Sequence, residues 1–270
     1  MRELERDLPD ATAPHADDWL PPLAVVGAGR AGRSIAAAAE LAGVPAELAG
    51  REQALEASRR AEVALLCVPD AEIADACATI AVAVPPLRFV GHVSGATTLD
   101  ALAPARERGA ETFSLHPLQT ILDGSADLTG APGAVSGSNP AALRLAARLA
   151  ERLGMRPFEV PEEQRAAYHA AASIASNLLV ALEESSAELL DRIGIEDARE
   201  LLAPLVLRTA ANWAERGPEA LTGPIARGDG ATVERHLAAL HDTAPELLPL
   251  YEALAERASE LATRRAEARA

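Results

Sequence analysis

Glycines 27, 29 and 32 stand in Val25-Val26-Gly27-Ala28-Gly29-Arg30-Ala31-Gly32, the spacing G-x-G-x-x-G placed between a short apolar run and an alanine-rich segment. Glycine at the first position permits a tight turn, at the second it lets backbone approach a pyrophosphate, and at the third it lets helix and strand pack closely. A helix starting there offers unpaired N–H groups and a partial positive charge to phosphate oxygens. Gly27, Ala28, Gly29, Arg30, Ala31 and Gly32 are therefore the expected dinucleotide cradle. NAD sites normally carry an acid about 20 residues further on, bonded to the ribose 2′-hydroxyl. Leu48-Ala49-Gly50-Arg51 has no acid at that tip, and the Arg51 guanidinium could pair with a 2′-phosphate that a carboxylate would repel. Arg30 or Arg33 could assist, so NADP(H) is the expected cofactor. The plainer reading, a solvated Arg51 beside Glu52, weighs against it.

Further candidates sit where strands are expected to end. Cys67-Val68-Pro69-Asp70 closes a central apolar run, and open α/β sheets bind ligands at such carboxyl ends. Val68 and Pro69 are thus expected beside the cofactor. The next ends read His92-Val93-Ser94-Gly95 and Ser114-Leu115-His116-Pro117-Leu118-Gln119-Thr120, which makes Ser94, His116 and Gln119 candidates for the same crevice. His116 could equally do no more than bond its own loop, and His92 reads as a strand residue. In the second half, Tyr168-His169-Ala-Ala-Ala-Ser173-Ile-Ala-Ser176-Asn177 would set His169, Ser173, Ser176 and Asn177 along one broad helical face. A stripe of short polar side chains among Ala, Leu and Val needs buried partners or a ligand. Thr222-Gly223-Pro224-Ile225-Ala226-Arg227-Gly228-Asp229 is either an interhelical turn or the place where Arg227 clamps a substrate carboxylate. His15, His236 and His241 lack such company and are expected to face solvent.

These residues need a frame. Short apolar runs alternating with helical segments up to about 160 predict a mostly parallel sheet covered on both faces, a Rossmann-type α/β domain. Strands are expected at Leu23–Val26, Ala46–Ala49, Val63–Val68, Arg88–His92, Thr112–Leu115, Ala134–Ser136 and Pro157–Val160, with helices at Arg30–Leu41 and about Pro140–Leu153. Beyond Pro161 the pattern is helical only, over 162–193, about 196–216 and 231–263, broken at Gly194 and at Thr222-Gly223-Pro224. The expected division is an acidic flexible tail over 1–21, the cofactor domain over 22–160, and a helical substrate-binding and dimerisation domain over 161–270.

Composition narrows the function classes. In 270 residues the formal charge is −15, which argues against nucleic acid and anionic lipid as partners. A small anionic substrate is still compatible, because local arginines outweigh the mean charge at contact distance. Every basic residue is arginine; there is no lysine. Cys67 and Cys77 give neither a disulfide framework nor metal spacing, which fits a cytoplasmic protein with no metal site. No apolar run reaches the ~18 residues of a membrane span. The first twenty residues lack the apolar core of a signal peptide.

Taken together, GAGRAG (27–32), LLCVPD (65–70), HVSGA (92–96), SLHPLQT (114–120), YHAAASIASN (168–177) and TGPIARGD (222–229) resemble a bacterial family of Rossmann-like proteins with a C-terminal helical domain of unknown function. That family lies within the 6-phosphogluconate-dehydrogenase-like superfamily, and the resemblance spans about 22–255. It implies NADP-dependent oxidoreductase activity, with ketopantoate reduction the first candidate, and a homodimer through the helical domains. Asn177 would stand where the related β-hydroxyacid dehydrogenases have a substrate-binding asparagine. Their acid/base lysine falls on Ser173, so either His169, one turn earlier, replaces it, since histidine titrates near neutrality, or the proton comes from elsewhere. Ser94 and Asn177 would orient the reacting oxygen, and Arg227 would hold a carboxylate. His116-Pro117 is similar to the His-Pro of prephenate dehydrogenases. A prephenate-type dehydrogenase and a non-catalytic NADP(H) redox sensor are the alternatives.

Overall fold

The computed structural model describes residues 20–268. The chain divides into two compact units, one up to Ser173 and one from Ile174. In the first unit the elements run β1 (Leu23–Val26), α1 (Arg30–Leu41), β2 (Ala46–Ala49), α2 (Ala54–Arg59), β3 (Val63–Leu66), α3 (Ile73–Ile80), β4 (Phe89–His92), α4 (Ala103–Arg106), β5 (Glu111–Pro117), β6 (Pro132–Gly137), α5 (Pro140–Arg152), β7 (Arg156–Glu159) and α6 (Arg165–Ala175). They build one seven-stranded sheet in the order β2-β1-β3-β4-β5-β6-β7. All neighbours are parallel except β5 and β6, where Leu115 faces Val135 in an antiparallel pair.

Side-chain alternation explains the layers. Val25, Leu65, Phe113 and Leu115 pack on one face with Ile35 and Ala39 of α1 and Leu145 and Leu149 of α5. Val26, Leu66 and Val90 point to the other face, against Ala57 of α2 and Ile73, Cys77 and Ile80 of α3. Strands β1 and β3 are buried along their whole length, which is why their sequences are continuous apolar runs without alternation. Asn139 accepts hydrogen bonds from the N–H groups of Ala141 and Ala142, each at 2.9 Å, and so fixes the start of α5. Because β1 lies between β2 and β3, successive crossovers leave it in opposite directions. The crevice beyond the carboxyl ends of β1 and β3 is therefore the topological switch point.

The sheet domain follows the expected order, with strand ends shifted by a few residues. Of the tail expected over 1–21, all but Leu20 and Pro21 lies outside the described residues, as does His15. Leu20 is buried and belongs to the sheet's core. The character of the sequence changes near 160, yet the first compact unit runs on to Ser173. Arg165, fully buried in the first turn of α6, ties that helix to the sheet.

The second unit holds α7 (Asn177–Arg192), α8 (Ala198–Arg216), α9 (Gly223–Ala226), α10 (Gly230–Thr243) and α11 (Leu248–Glu267), with no strand among the described residues. Two expected helices are each broken. The pattern over 162–193 is interrupted at Ser176, whose φ of −128° and ψ of −79° leave the helical region. Ser173, Ile174, Ser176 and Asn177 are weak helix formers, and Ser and Asn compete for backbone hydrogen bonds. The pattern over 231–263 divides at Ala244-Pro245: proline lacks the N–H and drives the residue before it out of the helix, and Ala244 sits at φ −152°. No helix among the described residues is long and apolar enough to cross a membrane. Leu178, Val180, Leu205, Leu207 and Trp213 are nevertheless more than half exposed.

Candidate functional site

The glycine turn caps β1 at the switch point. Gly27 adopts φ +115° and donates its N–H to Ala49 at 2.8 Å. A Cβ on Gly27 would strike the Cys67 carbonyl, and one on Gly32 would strike the carbonyl of Gly27. Packing alone demands glycine at both positions. Gly29 differs: a Cβ there would meet nothing within 4 Å, and no side chain caps the helix it opens. The first N–H groups of α1 thus keep no intrahelical partner, and the space beside Gly29 is open. A side chain at 29 would obstruct only a group arriving from outside, which is what a bound pyrophosphate requires. The residues present fit a dinucleotide.

Around this turn, Val68 packs on Gly27, its Cγ1 lying 3.1 Å from where a Cβ would stand. Pro69 follows it beyond β3. Burial pushes the Cys67 thiol up, so it is a packing residue and no nucleophile. At the tip of β2, Arg51 is exposed and ion-paired with Glu72. The one carboxylate of β2, Glu47, is gripped by Arg60 at 2.6 and 3.0 Å, and this hydrogen bonding lowers its pKa. An exposed pair such as Arg51–Glu72 contributes little stability and can exchange partners.

A second cluster gathers at the ends of β4 and β5 under α6. Arg165 donates to Ser114 Oγ at 2.7 Å, to Ser136 Oγ at 3.2 Å and to the Ser94 carbonyl, joining three neighbouring segments. Glu162 lies 3.6 Å from its guanidinium and also accepts the Leu99 N–H at 2.7 Å. One turn further along α6, Tyr168 Oη is 2.7 Å from His116 Nδ1, and the two rings meet edge to face. The His169 ring lies 6.0 Å from that of His116, centroid to centroid. A Cβ on Gly95 would come within 2.6 Å of His169 Cδ2 and 3.0 Å of His116 Nε2. Glycine at 95 is therefore what lets two imidazoles close over one strand end.

The electrostatics follow from burial. His116 is held down to about 4, first by burial, then by His169 and Arg165, so it is neutral at pH 7. Burial pushes the Tyr168 phenol up to about 12, against the opposing pull of Arg165. His92 ends β4 as expected, fully buried, with neither ring nitrogen in hydrogen-bonding geometry among the described residues. Burial, then Arg165, brings it down to about 4.

Other expected site residues have local duties. Ser94 Oγ accepts from the N–H groups of Ala96 and Thr97 and has Asp70 Oδ2 at 2.8 Å, so its hydroxyl builds the turn that joins the ends of β3 and β4. Gln119 is exposed and accepts the Thr120 N–H at 3.1 Å. Ser173 is half-buried one turn beyond His169. In the second unit, Asn177 opens α7 and is exposed. With the break at Ser176, His169 and Ser173 lie on α6 and Asn177 on α7, where one continuous helix was expected. Arg227 is exposed after α9, while Asp229 caps α10 through the Thr232 N–H at 3.1 Å, so TGPIARGD forms a helix–helix joint. His241 is exposed as expected, and so is His236, though its Nδ1 lies 2.8 Å from Tyr251 Oη. Among the described residues no group of three or more His, Cys, Asp or Glu side chains could hold a metal ion.

Arg165, Tyr168 and Gly95 join this cluster without having been among the expected site residues. Arg165 carries no signal of burial, since arginine in a first helical turn ordinarily reads as solvated. Gly95 and Tyr168 each adjoin a candidate and could have been weighed with it.

Residues 20–117 match the family model of a Rossmann-like domain, and residues 131–258 match the Domain of unknown function DUF2520. No curated protein matches the chain by sequence. Among solved structures, a Bacteroides fragilis protein bearing the provisional name NADP oxidoreductase is similar with a TM-score of 0.71 at 22% identity, over 89% of this chain and 98% of its own. Protein TM1727 from Thermotoga maritima gives 0.72 at 24%, over 90% and 99%. Plasmodium falciparum pyrroline carboxylate reductase, solved with NADP bound, gives 0.58 at 13%, over 90% and 98%. At these identities the likeness is one of fold.

Proposed function

Because this chain joins a Rossmann-like domain to a DUF2520 domain, we propose that it is an NADP(H)-dependent oxidoreductase acting on a small 2-oxo or hydroxy acid, with ketopantoate the first substrate to test. The observation that carries the reading is Gly29, whose lack of a side chain serves no packing purpose in the chain and clears the approach to the start of α1. The names of similar folds, an NADP oxidoreductase and a reductase with NADP bound, support it. Gly27 to Gly32, with Val68 and Pro69, would hold the pyrophosphate side, and Arg51 would exchange Glu72 for the 2′-phosphate. When bound, the cofactor supplies or accepts the hydride. The chain supplies or takes up the proton, through His116 or His169. The substrate role of Asn177 rests on the family resemblance, and that of Arg227 on its guanidinium in the TGPIARGD segment.

Titration calorimetry of the purified chain should show NADPH binding more tightly than NADH. Arg51→Ala should weaken NADPH binding about tenfold, ~1.4 kcal/mol, and leave NADH unchanged. Glu72→Gln, which frees Arg51, should strengthen NADPH binding. If neither nucleotide binds, the reading is lost. Ketopantoate and other 2-oxo acids should then consume NADPH, and tight binding without turnover across the panel would favour the redox sensor.

We also propose a homodimer formed through the helical unit. Support comes from the exposed apolar residues of α7 and α8 and the open groove of about 380 Å³ between them, lined by Leu179, Val180, Val206 and Leu207. Light scattering should give twice the chain mass; a monomer at micromolar concentration would remove the proposal.

A further inference from the structure

We propose that the Tyr168 hydroxyl fixes His116 as the tautomer bearing its proton on Nε2, and that this Nε2–H is the proton the site delivers to a substrate oxygen. The inference deepens the oxidoreductase reading and rests on it for the identity of the reaction. Its structural half stands on the geometry of the first unit.

The Tyr168 Oη to His116 Nδ1 distance of 2.7 Å is that of a full hydrogen bond, and it is the only one the His116 side chain makes among the described residues. Either atom could donate. A phenol is a far stronger acid than a neutral imidazole N–H, and an imidazole nitrogen a better acceptor than a phenol oxygen, so the stronger arrangement is O–H···Nδ1. The ring proton then resides on Nε2, whose edge lies along Gly95 and makes no hydrogen bond among the described residues. That edge is left for a ligand. Position is enforced from both sides: Phe158 meets the Tyr168 ring edge to face, and Arg165, one turn earlier on α6, is locked into the strand ends.

Proton accounting explains why the tyrosine is needed. A carbonyl reduced by a dihydronicotinamide takes two electrons as hydride on carbon and requires one proton on oxygen. His116 is kept neutral, so it has no imidazolium proton to give. A neutral imidazole can release its Nε2 proton only if Nδ1 gains one at the same time. Tyr168 O–H is placed to supply it: the Nε2–H bond breaks as the substrate O–H forms, the Tyr168 O–H bond breaks as Nδ1–H forms, and the phenolate regains its proton from water. Around the pair, His169, Arg165 and Asp70 are the charged or titratable neighbours, and Arg165 favours the transient phenolate. Tyr168 is a positioning residue, acting through His116.

The experiment uses the full chain without cofactor, labelled with ¹⁵N, and reads which atom holds the bridging proton. Expected is a slowly exchanging hydroxyl resonance correlated with His116 Nδ1 but without a one-bond nitrogen splitting, alongside a directly bonded proton on Nε2, unchanged from pH 8 to 6. The exposed His236–Tyr251 pair, by contrast, should exchange rapidly. Tyr168→Phe keeps the ring and should abolish the bridging resonance and speed exchange of the Nε2 proton. A one-bond splitting to Nδ1, protons on both nitrogens at pH 6.5, or a bridging signal that survives Tyr168→Phe would each overturn the assignment. None of these outcomes depends on NADPH binding, so failure of the oxidoreductase reading shows separately by calorimetry.

Discussion

Gly29→Asp should abolish NADPH binding, by about 100-fold or more, while the chain unfolds at the same denaturant concentration as the parent. A 100-fold loss is about 2.7 kcal/mol, a modest demand for a carboxylate set beside a diphosphate at a helix N-terminus. The fold should not register the change, because a Cβ at 29 meets no protein atom within 4 Å. Gly32→Ala should behave in the opposite way. Its new methyl collides with the Gly27 carbonyl in a turn that is already pinned by the Gly27 N–H, so α1 must lift off β1 at a cost of about 3 kcal/mol. Urea unfolding separates the two. Gly29→Asp protein that is folded and binds NADPH as the parent does would falsify the phosphate site.

Acid should destabilise the protein well before its carboxylates titrate. His92 and His116 each have a folded pKa of about 4, below the ordinary value of 6.5, because burial disfavours their charged forms. Above pH 6.5 neither state binds the extra proton, and no stability is at stake. As the pH falls below 6.5 the unfolded chain takes up protons that the native imidazoles refuse, so stability declines until the folded pKa near 4 is reached. Each histidine contributes a slope of about 1.4 kcal/mol per pH unit, so the pair gives nearly twice that across the middle of the window. The depressed carboxylates, Glu47 among them, act only at lower pH, where the unfolded carboxyl groups begin to protonate. Denaturant unfolding at pH 7, 6 and 5 measures the effect. His92→Leu removes one titrating ring along with two unbonded buried nitrogens, and should cut the slope by about half. An unchanged slope would show that His92 does not report on the acid transition.

Much of the fold was legible because its signals are local. Runs such as Val63–Leu66 are apolar because both sheet faces are covered, and Gly27 and Gly32 are glycines because nothing larger fits the turn. Helix ends were less legible. Pro245 marks a break that the helical period over 231–263 hides, and the break at Ser176 rests on a few weak helix formers that propensity alone does not resolve. The site was half legible. His116 and His169 could be picked out by residue type and position, and the structure brings their rings together. Ser94 was picked out by the same logic and turns out to build its own turn.

The sequence by itself determined the strand-turn-helix with its glycines, the order of sheet and helices, and the absence of lysine chemistry, because each depends on residue types within a short stretch of chain. Only the tertiary structure decided that Tyr168 bonds His116 across 52 positions, that Gly95 admits both imidazoles and that Arg165 is buried beneath them. Those contacts join segments remote in the chain, and side chains that meet through folding carry no common period or spacing from which the meeting could be read.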